Sequence, residues 1–128
     1  MTMNARLNDL RARFPGCSIA AFADLSTGMV LVSSTQKPTG QETLDALCHA
    51  ALRLFAPGMP TGLNSAQSGP SGNTPWYAVS CFRGQLACFV RSPVLAEEAV
   101  CMVCSDPAEI QQLTAAAHGL LCETGVDA

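Results

Sequence analysis

AVCMVCSDPAE, residues 99 to 109, runs from consecutive apolar residues directly into a helix-start signal. Val100 to Cys104 leaves no polar gap at helical spacing, which reads as a buried strand rather than a helix. Side chains alternate along a strand, so residues three apart face opposite sides of the sheet. Cys101 and Cys104 therefore neither share a metal ion nor pair in a disulfide. A redox Cys-x-x-Cys needs both sulfurs at the start of a helix, whose N-terminus lowers the thiol pKa. Val100, Met102 and Cys104 fall on one face, and Ala99, Cys101 and Val103 on the other. Both faces are apolar, so the sheet is covered on both sides, which three helices achieve with two on one face and one on the other.

Downstream, Asp106-Pro107-Ala108-Glu109 places a capping residue, a proline at the first helical position and a glutamate three residues after the cap. Ile110, Leu113, Ala117, Leu120 and Leu121 give the last helix its apolar stripe, and Gly119 leaves its end open by several residues. Upstream, WYAVSCF-RGQ-LACFVR (76–91) reads as a hairpin. With Gly84-Gln85 as a two-residue turn, Cys81 faces Cys88, Val79 faces Val90 and Phe82 faces Ala87. A neighbouring register separates the two thiols, and the sequence does not choose between them.

Before that hairpin, residues 56–75 form a stretch rich in Gly, Pro, Ser and Asn with no period, expected to be a long mobile loop within one domain. The segment before it is helical. Thr39-Gly40-Gln41-Glu42 has capping-box spacing, and the helix begins near Gln41. Leu44, Leu47, Cys48, Ala51, Leu52, Leu54 and Phe55 share one arc of its wheel; Glu42, Ala46, His49, Ala50 and Arg53 share the opposite one. The second arc reads either as a solvated face or as a seam where the small Ala46 and Ala50 admit another helix. Residues 17–34 form a first hairpin, with Gly28 supplying the positive φ of its turn. Residues 4–14 form a first helix, ended by Pro15-Gly16. Its three arginines faintly suggest a transit peptide, but Leu7, Leu10 and Phe14 at helical spacing favour an ordinary amphipathic helix.

The chain's 128 residues suffice for a single domain spanning 1–128. Apolar residues make up 48% and charged residues 13%, against a usual ~25% charged, so part of the apolar surface is expected to meet another protein. A net charge of −3 and scattered aromatics give no nucleic-acid footprint. No apolar run is long enough to span a membrane. Seven dispersed cysteines read as reduced thiols of a cytoplasmic protein, used as small core residues. His49 and His118 sit on different helices, so no zinc set forms. No Gly-rich loop with Lys-Ser or Lys-Thr is present for binding nucleotide.

The order helix, hairpin, helix, long connection, hairpin, strand, helix resembles that of the roadblock and dynein light chain superfamily, which has a profilin-like fold. The likeness is carried by SIAAFADLSTGMVLVSS (18–34), by ETLDALCHAALRLF (42–55), and by residues 77–121, from YAVSCF to HGLL. It implies an α+β fold: a five-stranded antiparallel sheet with helices on both faces, in the order α-β-β-α-β-β-β-α. It also implies a non-enzymatic homodimer without cofactor or metal, paired through the second helix and the edge strand at 76–82. That places Glu42, Ala46, His49, Ala50, Arg53, Trp76, Ala78 and Ser80 at the dimer interface. Many such proteins regulate or scaffold small Ras-like GTPases, so a GTPase or a larger assembly is the expected partner. The chain departs from the family in its long Gly/Pro-rich loop and its cysteine count.

Two other readings compete. A profilin-like or PAS-like sensor would line a small-molecule pocket with Cys81, Phe82, Cys88, Phe89 and Met102. An enzyme would draw on Asp45 and His49, four residues apart on the second helix, to activate a cysteine.

Overall fold

The computed structural model describes residues 2–55, 76–93, 95 and 97–127. The long connection at 56–75, expected to be a mobile loop, lies outside them. The elements follow the expected order: α1 (Met3–Arg13), β1 (Cys17–Asp24), β2 (Met29–Thr35), α2 (Gln41–Phe55), β3 (Tyr77–Phe82), β4 (Gln85–Arg91), β5 (Glu98–Cys104), a 3-10 turn (Pro107–Glu109) and α3 (Ile110–Asp127). The strands form one antiparallel sheet in the order β2-β1-β5-β4-β3. β5 is therefore central, between β1 and β4, which is why its sequence is an unbroken apolar run.

The faces of β5 separate as its alternation requires. Val100, Met102 and Cys104 pack with Leu7, Leu10, Leu113, Ala117 and Leu121 beneath α1 and α3. Ala99, Cys101 and Val103 pack with Leu44, Leu47, Cys48, Ala51 and Phe55 beneath α2. The α2 side of the sheet is carpeted with Ala21, Ala23, Ala78, Ala87 and Ala99. These small side chains let one helix lie close to the strands.

Local signals fix the helix ends. The Thr2 hydroxyl accepts the Ala5 N–H at 3.1 Å to cap α1. Arg11 Nε donates to Ser34 Oγ at 2.7 Å, and that hydroxyl donates in turn to Asn8 Oδ1, which pins α1 to β2. Asp106 caps the Ala108 N–H as expected, but the rest of its capping box does not close. Glu109 Oε1 instead accepts the Gly16 N–H at 3.1 Å, tying the start of α3 to the start of β1. The Thr39 box does not form either: the Thr39 hydroxyl donates to the Lys37 carbonyl, and the Gly40 carbonyl accepts the first α2 amides, from Thr43 and Leu44. α3 runs straight through Gly119.

The second hairpin corrects one expected register. Its turn is Arg83-Gly84, both at positive φ (51° and 81°), and Phe82 faces Gln85. The pairing is thus displaced by two residues: Cys81 faces Leu86, and Cys88 faces Val79. Cys81 is exposed while Cys88 is buried. The glycine takes the second turn position because a turn with positive φ at both positions follows the right-handed twist of the strands.

Candidate interface: the outer face of the second helix and the third strand

α2 presents the expected outer arc. Glu42, His49 and Arg53 are exposed, Ala46 is half-buried between them, and Ala50 is half-buried where it packs against the α2-side core. The small side chains leave a shallow strip between longer charged ones. Arg83 Nη1 donates to Thr43 Oγ1 at 3.1 Å, joining the first turn of α2 to the β3–β4 turn.

β3 is an edge strand with β4 on one side and no described strand on the other. The Arg91 N–H donates to the Trp76 carbonyl at 2.7 Å. By antiparallel alternation Ala78, Ser80 and Phe82 also bond toward β4, while Tyr77, Val79 and Cys81 turn their backbone groups outward. The predicted interface residues on this strand divide. Ala78 is only 1% exposed, its side chain occupied in the α2-side core and its backbone turned toward β4, so it offers a partner neither. Ser80 is half-buried. Trp76 turns toward α3, its ring 4.6 Å from Tyr77 and 4.9 Å edge-on from His118.

The proposed ligand pocket does not assemble. Cys88 and Met102 face α1 and α3, Phe82 and Phe89 face α2, and Cys81 is exposed. Strand alternation separates the five residues across the sheet. A groove of about 690 Å³ opens elsewhere, between β3 and the first turns of α3, lined by Trp76, Tyr77, Val79, Pro107, Ile110 and Thr114. The suggested Asp45–His49 pair is not joined: Asp45 Oδ1 accepts from Gln41 Nε2 at 2.9 Å, and the neighbouring Cys48 is buried on the other side of the helix.

The five buried thiols are electrostatically quiet. Burial, with Cys104 nearby, pushes Cys17 up to about 12. Burial likewise raises Cys48, Cys88 and Cys101. Cys104 is raised by burial despite its thiol donating to the Asp106 carbonyl at 3.3 Å. Such groups stay protonated and unreactive near neutral pH. Among the described residues no group of three His, Cys, Asp or Glu side chains is placed to hold a metal, and no helix is long and apolar enough to cross a membrane.

The opposite edge was not singled out from the sequence. β2 closes the far side of the sheet, and Met29 and Leu31 on it are the exposed large hydrophobic residues among those described. The available signal was the composition of MVLVSST, residues 29–35, which carries none of the charges that usually guard an edge.

This architecture, an open five-stranded antiparallel sheet with α1 and α3 on one face and α2 on the other, is a roadblock-like, profilin-like fold. Its solved neighbours include a roadblock/LC7 domain from Streptomyces avermitilis, superposing with a TM-score of 0.69 at 15% identity over 96% of this chain and 94% of that one. Profilin of Schizosaccharomyces pombe superposes with a TM-score of 0.59 at 12% identity, covering 97% of this chain and 99% of the profilin. Neither a protein-family model nor a curated protein matches the sequence.

Proposed function

We propose that the chain is a non-enzymatic adaptor that pairs with a second copy through α2 and β3 and presents the joined surface to a small Ras-like GTPase or a larger protein assembly. The observation that carries this reading is the β3 edge, which no described strand pairs, together with an α2 outer face where the small Ala46 leaves room for a second helix between Glu42, His49 and Arg53. Pairing two β3 edges would make one continuous sheet and satisfy the outward backbone groups of Tyr77, Val79 and Cys81. The roadblock-like fold supports the same reading.

An affinity pull-down from native lysate under reducing conditions, with GTP or GDP added and read by mass spectrometry, tests the partner. Nucleotide-dependent recovery of a small GTPase is expected for a GTPase regulator. Recovery of a stable assembly without one leaves the scaffold role, and recovery of neither contradicts both. A second reading, a profilin-like or PAS-like sensor, rests on the groove beside Trp76 and Tyr77. A small-molecule panel that raises the melting temperature, with the gain lost in Trp76→Ala, would favour it.

A further inference from the structure

The edge opposite β3 has its own chemistry. Among the described residues β2 pairs with β1 alone. The pairing slips between Phe22 and Ala23, leaving Leu31 as the extra residue of a bulge. Without the slip Val30 and Val32 would share a face. With it, Val30 packs on the α2 side and Val32 on the α1/α3 side. Leu31 belongs to neither and stands at the edge 54% exposed, with Met29 at 56%. Toward its C-terminal end the edge is partly occupied, since Asn4 Nδ2 donates to the Ser33 carbonyl at 3.3 Å.

Beside Met29 lies an acidic corner. Met29 pairs with Asp24, and Asp24 pairs with Glu98 on β5. The Leu25 N–H donates to the carbonyl of the neighbouring, exposed Glu97. Asp24 is held by Ser26, whose N–H and hydroxyl both donate to Oδ1. Glu98 Oε1 is buried with no hydrogen-bond partner. The end of the sheet beside Met29 therefore carries three carboxylates, Asp24 on β1 and Glu97 and Glu98 at the start of β5.

We infer that the β2 edge is a docking strand for a partner protein, taking an extended segment whose apolar residues cover Met29 and Leu31 and whose Lys or Arg at one end meets the Asp24, Glu97 and Glu98 corner. The occupant follows from complementarity: backbone addition suits an unpaired edge, apolar contact suits the two exposed side chains, and positive charge suits the corner. The inference is separate from the proposed pairing through β3. In a paired molecule the two β2 edges would be the free ends of the continuous sheet, so each copy would keep one.

Selection of short random peptides displayed on phage tests it. The expected winners are extended sequences with alternating apolar residues and a basic residue at one end. Titrated by fluorescence anisotropy, a synthetic winner should bind Met29→Lys/Leu31→Lys about tenfold or more weakly, since both apolar contacts are lost. Glu97→Lys should weaken binding at low salt and less so at high salt. Both variants alter exposed positions, and matching circular-dichroism melts verify that they fold. Failure to select any peptide, equal binding to the double variant, or amide protection induced on β3 instead of Met29–Val32 would overturn the inference. So would self-association beyond a dimer that the double variant abolishes, because the occupant would then be another copy of this chain.

Discussion

Replacing each cysteine of the central strand by serine should have unequal consequences. Cys101 is fully buried under α2 between Ala21 on β1 and Phe89 on β4. Its surroundings are Ala21, Ala23, Leu47, Cys48 and Val103, and the flanking strand backbones are already paired. A serine hydroxyl there would be desolvated without a partner, at a cost of about 1–3 kcal/mol. Cys104 is equally buried, but its sulfur lies 3.3 Å from the Asp106 carbonyl and 3.8 Å from Glu109 Oε1. A hydroxyl at 104 keeps an acceptor, and its cost should stay below about 1 kcal/mol. For a domain of this size each kcal/mol moves the melting temperature by roughly 3–5 °C. Cys101→Ser should therefore melt several degrees below Cys104→Ser. The assay is thermal and urea unfolding in dithiothreitol, with and without EDTA, and neither the chelator nor the reductant should shift the wild type. Equal losses in the two variants, or a greater loss at 104, would refute the assignment of these residues to opposite faces of a strand core.

Three further outcomes follow from named contacts. The Glu98 carboxyl is raised by burial, then by Glu97 and Asp24, so its ionisation opposes folding: the stability it gives while protonated is complete below the ordinary Glu range and is lost as pH rises through the shifted value. Glu98→Gln should melt higher than wild type at pH 7.5, with the difference vanishing near about pH 4; a lower melting temperature at pH 7.5 contradicts this. Titration of the native protein with a thiol-specific disulfide reagent should modify Cys81 fast and Cys122 more slowly, with the five buried cysteines reacting only on unfolding; early reaction of Cys17 or Cys104 would mean that the α1/α3 core opens readily. Gly84 sits at φ 81° with open space around an added Cβ, so Gly84→Ala should cost about 1 kcal/mol of pure backbone strain, read by urea unfolding.

Periodicity carried most of the fold. The alternation of β5 assigned its six inward residues to the correct faces, and the wheel of α2 separated the buried Leu44, Leu47, Cys48, Ala51 and Phe55 from the exposed Glu42, His49 and Arg53, while Ala50 of the outer arc packs on the core. Features decided by contact between distant segments were not legible. Glu109 has capping-box spacing, yet its carboxylate goes to Gly16 across the sheet. Thr39 has the same spacing, and its hydroxyl bonds Lys37. The Arg83-Gly84 turn puts a non-glycine at positive φ, against the local preference that suggested Gly84 first. Ala78 was placed at a dimer interface by the family resemblance, but its side chain packs into the core beneath α2. The exposure of Met29 and Leu31 follows from strand order and from a bulge, neither of which a single-strand pattern contains.

The central claim is pairing through α2 and β3, and the mass of the chain in solution tests it most directly. Light scattering coupled to size exclusion at tens of micromolar should give twice the 13.3 kDa chain mass for the wild type, and a single-chain mass for Ala46→Arg, which fills the strip between Glu42, His49 and Arg53 while leaving the core intact. A wild type that runs as a single chain at that concentration would contradict the account, as would a dimer indifferent to Ala46→Arg.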